Sequence, residues 1–455
     1  YNPVTPNADS ELTIIFKADV SSALYGYTGD VYLYAGIIVD GIWKFQPSSW
    51  TDNLSKYKMT KLDDNLWSIS LSSSIRSWFG SGTTPVEKLG LIVRSADGSQ
   101  KGIDNDTFIT VTDSKYKGFI PSAIVEKNMP VGLQYGINYG SDKSSATLVL
   151  YDKDKNGNHK DYAYVVGDFN NWTLSNDTQS QMYRDNSAGC WWITISNLQA
   201  SKEYAFQYYV GTEVDGAMRL ADPYTEKILD PDNDGLIPTT TYGDPKAYSS
   251  GGIGIVSTFC ISPSAYIWKN DSFTRVADEE LVIYEILLRD FTSSGDLNGA
   301  MDKLDYLKAL GVNAIELMPV QEFDGNDSWG YNTGFYFALD KAYGTKNMYK
   351  TFIDACHGKG IAVLFDVVYN QASSQCPLAR MYWDSVNSRP SSTNPWFNVT
   401  TPHYYSFGND FNHSSVLTRE FVKRNIKFLL EEYHIDGFRF DFTKGFTQKT
   451  STDDA

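Results

Sequence analysis

The feature that most constrains the fold is a change in the sequence pattern near residue 276. Beyond it, apolar runs of strand length alternate with segments whose apolar residues recur at helical spacing. The strand-like runs are 281–291, 312–320, 361–369 and 435–442, and the helix-like segments are 297–310, 348–357 and 418–433. Near-continuous apolar strands that alternate with amphipathic helices predict a parallel sheet covered by helices. The pattern fits the first four βα units of a (β/α)8 barrel, and a doubly wound sheet is the alternative.

Two long connections follow the second and third predicted strands. They run from about 321 to 347 and from about 370 to 417, and we expect them to be loops. Barrel enzymes carry their chemistry in the loops after the strand C-termini, and long loops in a compact domain are usually functional. We therefore expect the site at this end of the sheet.

The first 275 residues have a different pattern, with short alternating or apolar runs separated by Gly, Asp, Asn and Ser. Such spacing predicts β-sandwiches. The 455 residues are too many for one ordinary core. A Pro- and Gly-containing stretch, Met129-Pro-Val-Gly132, is a plausible boundary. We predict a β-sandwich over 1–128, a second over 129–275, and the parallel α/β region over 276–455.

Composition and charge exclude several functions. The formal net charge is −16, and no cluster of Lys and Arg offers a phosphate-binding surface, so nucleic acid is not an expected partner. No apolar run is long enough to predict a transmembrane helix. Aromatic residues reach 15%, which suits either sugar binding or a β-rich core. The four cysteines have no metal-ligand spacing, and their pairing cannot be read from the sequence.

Three short motifs lie at strand ends or in the loops that follow them. They are Asp366-Val-Val-Tyr-Asn370, Gly437-Phe-Arg-Phe-Asp441, and Trp329-Gly-Tyr-Asn332 with Tyr343-Gly-Thr345 after it. In their order along the chain, 329–332, 366–370 and 437–441, they resemble signature regions of the α-amylase family (glycoside hydrolase family 13). The resemblance covers 276–455 well. It implies a (β/α)8 barrel and a retaining hydrolase of α-1,4-linked glucans such as starch.

Retention requires an ionised carboxylate below the anomeric carbon and a protonated carboxyl group on the leaving oxygen. Asp441 ends a predicted parallel strand and is our candidate nucleophile. Arg439, two residues earlier, points to the same side of the strand, where a cation keeps Asp441 ionised and oriented. A structural Arg–Asp pair is the alternative. Asp366 is expected to be structural, near the base of the site.

The resemblance also implies residues for substrate and metal. Tyr331 matches a tyrosine that stacks on the sugar ring in the cleaved subsite, and Trp329 belongs to the same loop motif. Gln371 stands where the family has a His that binds a sugar hydroxyl, and Lys444 matches a residue on the leaving-group side. Asn370 matches a position that often binds a stabilising calcium and Asp410 is a candidate for a second ligand, so Ca²⁺ is a possible cofactor.

Three points depart from the family pattern. Gln371 cannot carry the charge of a His, and Lys444 is followed by Gly445 where His is common. No Glu follows Asp441, although the family's general acid is a Glu after the fifth strand. We expect this chain to be inactive alone, completed by a missing C-terminal segment or a partner. The alternatives are an α-1,6-acting debranching or branching relative and a non-catalytic starch-binding protein.

Residues 160–230 more loosely resemble the immunoglobulin-like early-set modules that precede the barrel in starch-branching and debranching enzymes. Trp172, Trp191 and Trp192 are candidate sugar platforms there, with core packing as the alternative. The whole resembles multi-modular enzymes of Bacteroidetes-type bacteria with a starch-binding-like module. That resemblance implies an extracytoplasmic location.

Overall fold

The computed structural model describes residues 1–39, 42–102, 107–115, 117–212, 216–243, 245–385, 387–405 and 407–449. The chain divides into two compact units, Tyr1–Ser122 and Ala123–Ala455. No described helix is both long enough and apolar enough to cross a membrane.

The first unit is a pair of antiparallel sheets around one core. Its elements are β1 (Leu12–Lys17), β2 (Val31–Val39), β3 (Ile42–Lys44), β4 (Thr60–Asp63), β5 (Leu66–Leu71), α1 (Ile75–Phe79), β6 (Lys88–Ser95) and β7 (Thr107–Thr110). The sheet orders are β1-β5-β4 and β3-β2-β6-β7. Alternate residues of β1, β2 and β6 face a core that includes Leu12, Leu33, Trp67 and Leu89. Burial alternates along β1 and β5, whereas β2 and β6 are buried at most positions, in agreement with the alternating and apolar runs of the sequence.

The second unit begins with two more antiparallel sheets. Their strands are β8 (Gly136–Tyr139), β9 (Ala146–Tyr151), β10 (Tyr162–Gly167), β11 (Tyr183–Asp185), β12 (Cys190–Ile195), β13 (Glu203–Thr212), β14 (Gly216–Leu220), β15 (Ile228–Leu229) and β16 (Val256–Cys260). The orders are β11-β12-β9-β8 and β10-β13-β16-β15, with β14 beside β13.

The tryptophans of this part are structural. Trp191 and Trp192 are 1% and 3% exposed. The Trp191 Nε1 donates to Asp152 Oδ2 at 2.7 Å inside the core. Trp172 is half-buried, and its Nε1 donates to Asp168 at 2.9 Å. A sugar cannot reach the faces of Trp191 and Trp192, so the platform hypothesis is wrong for these two.

The remainder contains the parallel sheet. Its elements are β17 (Ile283–Ile286), α2 (Leu288–Phe291), α3 (Leu297–Asp302), α4 (Leu304–Ala309), β18 (Ala314–Leu317), β19 (Gln321–Phe323), β20 (Thr333–Leu339), α5 (Lys346–Gly358), β21 (Ala362–Val367), β22 (Gln371–Ala372), α6 (Pro377–Arg380), β23 (Trp383–Asp384), β24 (Arg389–Pro390), β25 (Asn409–Asp410), α7 (Val416–Tyr433) and β26 (Gly437–Phe440). Strands β17, β18, β21 and β26 pair in parallel in that order. The four predicted parallel strands and the helices between them are therefore present, whereas a helix after β26 and closure into a barrel stay predictions.

Three details of the prediction are wrong. The predicted strand 281–291 is a strand only in β17, and its last part forms helix α2. The first helix-like segment is broken at Lys303 into α3 and α4. The connection 321–347 is not a structureless loop, because β19 and β20 form an antiparallel hairpin in it. All seven residues of β20 are buried, and the strand packs in the core without joining the parallel sheet. The connection 370–417 also carries short paired strands.

Candidate active site

The chain turns sharply where β26 ends. The Asp441 backbone N–H donates to the Val367 carbonyl at 3.0 Å, which continues the pairing of β26 with β21 by one residue. Phe442 then adopts a left-handed conformation with φ of 43°. Bulky residues rarely adopt this conformation, and such strain is concentrated at functional sites. The turn leaves the half-buried Asp441 at the carboxyl edge of the parallel sheet.

Arg439 joins two carboxylates. Its Nη1 lies 2.5 Å from Asp441 Oδ1 and 3.0 and 3.1 Å from the two oxygens of Asp366. Asp366 pairs with Arg439 across the neighbouring strands, and its side chain is fully buried. The predicted contact between Arg439 and Asp441 is therefore present. The structure adds Asp366 as a second anchor for the guanidinium group.

Tyr331 reaches the same cluster from the loop between β19 and β20. Its hydroxyl donates to Asp366 Oδ2 at 2.8 Å. Gly330 makes this approach possible, because it has a φ of +94° and a Cβ there would lie 2.4 Å from the Pro319 carbonyl oxygen. Gln371 fixes the loop from the other side, donating from Nε2 to the Tyr331 carbonyl at 2.9 Å.

Two further predicted substrate residues lie at the edges of this site. Trp329 is 59% exposed in the same loop as Tyr331. Lys444 lies in a short 3-10 turn, Thr443–Phe446, just after Asp441. The next residue, Gly445, packs against Asn370, and a Cβ at Gly445 would approach the Asn370 Cβ to 2.7 Å. The His common at that position in the resembled family does not fit this backbone arrangement.

The predicted metal pair offers few free oxygens. Asp410 Oδ1 lies 3.0 Å from His403 Nε2, and its Oδ2 accepts from Asn398 Nδ2 at 2.7 Å. Asn370 Oδ1 is buried with no hydrogen-bond partner and could accept a cation. Calcium takes six to eight oxygen ligands, and as placed the pair supplies one that is uncommitted. The arrangement of Asn370 and Asp410 thus neither defines nor rules out a calcium site, and calcium binding stays a prediction.

Sequence reasoning missed two carboxylates below Asp366. Oxygens of Glu285, Glu316 and Asp366 lie within 4.8 Å of one another. Glu285 and Glu316 are cross-strand partners in β17 and β18. The sequence does contain a signal for such residues, because a charged residue inside an otherwise apolar strand is unusual. Glu285 in Val282-Ile-Tyr-Glu-Ile286 is an example. An acidic cluster alone does not define a metal site.

The electrostatics of the cluster follow from burial and crowding. Burial raises the pKa of Asp366, against the hydrogen bonds from Tyr331 and Arg439 that lower it. Burial also raises the pKa of Glu316, and the carboxylates of Asp366 and Glu285 raise it further. Burial lowers the pKa of Arg439, but its bonds to Asp441 and Asp366 outweigh this effect and raise it overall. The guanidinium group is thus firmly protonated between two carboxylates.

The region that contains most of this site is similar to known proteins. Residues 266–410 match the alpha amylase catalytic domain family. This part of the chain is therefore similar to α-amylase-family catalytic domains. The match includes Tyr331, Asp366 and Asn370 and ends before Arg439 and Asp441.

Individual relatives extend the similarity. A malto-oligosyltrehalose trehalohydrolase of Saccharolobus solfataricus is 32% identical over 49% of this chain and 36% of its own length. Isoamylase 1 of Oryza sativa subsp. japonica is 30% identical over 73% of this chain and 43% of its own. Alpha-amylase 3 of Dictyoglomus thermophilum is 34% identical over 36% of each. The chain thus spans less than half the length of these relatives.

Proposed function

We propose that this chain supplies the first part of the catalytic domain of a retaining α-glucan hydrolase that acts on α-1,4 bonds. The observation that carries the proposal is the cluster of Asp441, Arg439, Asp366 and Tyr331 at the carboxyl edge of the parallel sheet. The four side chains come from three separate segments of the chain. They meet at the edge of the sheet where barrel enzymes carry their catalytic residues.

Each residue of the cluster has a role in this proposal. The ionised carboxylate of Asp441 attacks the anomeric carbon and forms a glycosyl ester. Arg439 holds Asp441 in place through the 2.5 Å contact. Tyr331 presents its ring to the sugar while its hydroxyl is fixed by Asp366. Trp329, Gln371 and Lys444 are proposed to line the neighbouring subsites, and Gln371 also fixes the Tyr331 loop.

The general acid is proposed to be a Glu outside these 455 residues, because no Glu follows Asp441 here. A substrate whose leaving group needs no proton therefore tests the nucleophile alone. In α-maltosyl fluoride, Asp441 displaces fluoride: the carboxylate oxygen bonds to the anomeric carbon, and the C–F bond breaks with its electron pair on fluoride. Without an acid/base to activate water, the ester should persist.

The experiment is intact-mass spectrometry of the 455-residue chain after incubation with α-maltosyl fluoride. We expect a mass gain of one maltosyl unit that peptide mapping places on Asp441. Asp441→Asn should abolish the gain, and Asp327→Asn, at an exposed position, should retain it. Labelling that survives in Asp441→Asn, or none in the unchanged chain, would refute this role for Asp441.

An α-1,6-acting debranching activity is the second candidate. The similarity to isoamylase 1 over 73% of this chain favours it. Protein in which this chain is combined with the general acid should release reducing ends from amylose if the first candidate is correct. Cleavage of the α-1,6 bonds of pullulan with amylose left intact would favour the second. We also propose an extracytoplasmic location, which rests on the resemblance alone.

A further inference from the structure

A groove lies between the early strands of the second unit and the outer side of α7. Its volume is about 630 Å³, within the usual range of small-molecule sites. Six aromatic residues line it: Trp396 and Phe421, which are only 2% exposed, and the half-buried Tyr135, Tyr151, Tyr224 and Phe428. It shares no lining residue with the Asp441 cluster. Nothing in the proposed reaction uses it.

Arg424 is the polar group inside this groove. Its guanidinium carbon lies 4.3 Å from the centre of the Tyr224 ring, and its Nη1 donates to the Tyr135 carbonyl at 2.6 Å. No carboxylate lies within 4.0 Å of it in the described part of the chain. Burial lowers its pKa. The Tyr135 carbonyl occupies one of the five N–H groups of Arg424, and the more distant carboxylates of Asp222 and Glu226 favour its charged form.

The rim decides which ligand class fits. Lys423 faces Glu420 at 3.9 Å, and Lys427 faces Glu431 at 3.6 Å, so the exposed charges offset each other. A strongly anionic ligand would meet the two glutamates as well as the lysines. Aromatic walls with a few donors and acceptors suit a neutral ligand that has both flat apolar faces and hydroxyl groups. Sugar rings have this combination.

We infer that the groove is a second α-glucan-binding site, distinct from the Asp441 site. The choice of an α-glucan rests on the proposed function, whereas the choice of a neutral oligosaccharide rests on the groove itself. Half-buried Tyr135 and Tyr151, with ring centres 5.2 Å apart, supply stacking surfaces. Arg424 and the rim residues supply hydrogen bonds to hydroxyl groups.

The test is calorimetric titration of maltoheptaose into the 455-residue chain carrying Asp441→Asn, so that no substrate is consumed. In that background, Tyr135→Ala should weaken binding about tenfold or more, because it removes one stacking ring. Tyr135→Phe keeps the ring and loses only the hydroxyl that donates to the Ala188 carbonyl, so it should bind within twofold of the parent. Tyr25→Ala, another half-exposed tyrosine in the first unit, is the matched control and should also bind within twofold.

A second measurement does not depend on how the variants fold. Acetylation of Lys423 and Lys427, which are 76% and 70% exposed, should slow at least twofold when maltoheptaose is present. Unchanged acetylation, or full binding by a folded Tyr135→Ala chain, would overturn the inference. So would loss of all binding in Tyr331→Ala, since that result would place the glucan at the Asp441 site.

The outcome separates this inference from the proposed function. If Asp441 is labelled but maltoheptaose does not slow acetylation of Lys423 and Lys427, the proposed function stands and the groove is not a glucan-binding site. If maltoheptaose slows acetylation of these lysines and Tyr135→Ala weakens binding, but Asp441 is not labelled, the groove is a glucan-binding site and Asp441 is not the nucleophile.

Discussion

At the scale of single residues, Arg439 is the most constrained side chain of the candidate site. One nitrogen serves Asp441 and both oxygens of the buried Asp366. Replacing Arg439 by Ala leaves the Asp366 carboxylate buried without its cation. Breaking a buried pair is strongly destabilising, but the Arg439 side chain is 42% exposed, so we expect a smaller loss of about 1–3 kcal/mol.

Thermal unfolding followed by circular dichroism measures this loss. Arg275→Ala is the matched control, because the Arg275–Asp278 pair is exposed on both sides and should contribute less than about 1 kcal/mol. Equal effects of the two substitutions would show that Asp366 does not depend on Arg439 for stability.

The residues of this cluster differ in how far the sequence predicts them. Arg439 and Asp441 lie two apart in one strand, so their contact follows from strand geometry alone. The bond between Tyr331 and Asp366 joins segments 35 residues apart and depends on the turn at Gly330. The grouping of Glu285 and Glu316 with Asp366 depends on the register of three strands, which the sequence pattern does not define.

At the scale of elements, two glycines shape the outer face of one sheet in the first unit. Gly36 of β2 and Gly90 of β6 are direct cross-strand partners, and the Trp43 ring lies over both. A Cβ on Gly90 would lie 2.2 Å from Trp43 Cζ2. Since the ring is rigid, we expect Gly90→Ala to destabilise the first unit by about 1–3 kcal/mol.

Urea unfolding monitored by tryptophan fluorescence checks this prediction. Gly235→Ala is the control, because nothing lies within 4 Å of a Cβ there and its φ is not in the left-handed region. It should be close to neutral. A neutral Gly90→Ala would mean that Trp43 can leave the sheet at little cost.

Helices and strands whose apolar residues recur at a regular spacing were predictable from the sequence. The structure of continuous apolar runs was not. Helix α7 runs from Val416 to Tyr433 where 418–433 was predicted, because its apolar residues recur at helical spacing. The run Thr333–Leu339 has no polar alternation, and only its antiparallel pairing with β19 identifies it as part of a hairpin. Burial on both faces removes the signal that pattern reading needs.

At the scale of the whole molecule, the chain carries a formal charge of −16 and also buries carboxyl groups. Burial raises the pKa of Glu322 and that of Asp340, and the charge of Lys341 opposes this effect in both. Burial also raises the pKa of Asp222 to about 6. A carboxyl group with a raised pKa in the folded state makes folding take up protons. Each of these groups therefore favours folding more at acidic pH than at neutral pH.

Asp222 gives the clearest test, because it is fully buried and lies outside the Lys341 cluster. Its stabilising contribution is complete below its ordinary pKa of 3.8 and is lost as the pH rises to about 6. The stability of the unchanged chain relative to Asp222→Asn should thus fall by about 2–2.5 kcal/mol between pH 4 and pH 7. Unfolding midpoints across this range measure the difference. Tyr208 donates to Asp222 at 2.6 Å and lowers its pKa, so Tyr208→Phe should move the loss to higher pH. A difference between the unchanged chain and Asp222→Asn that stays constant with pH would contradict a neutral, buried Asp222.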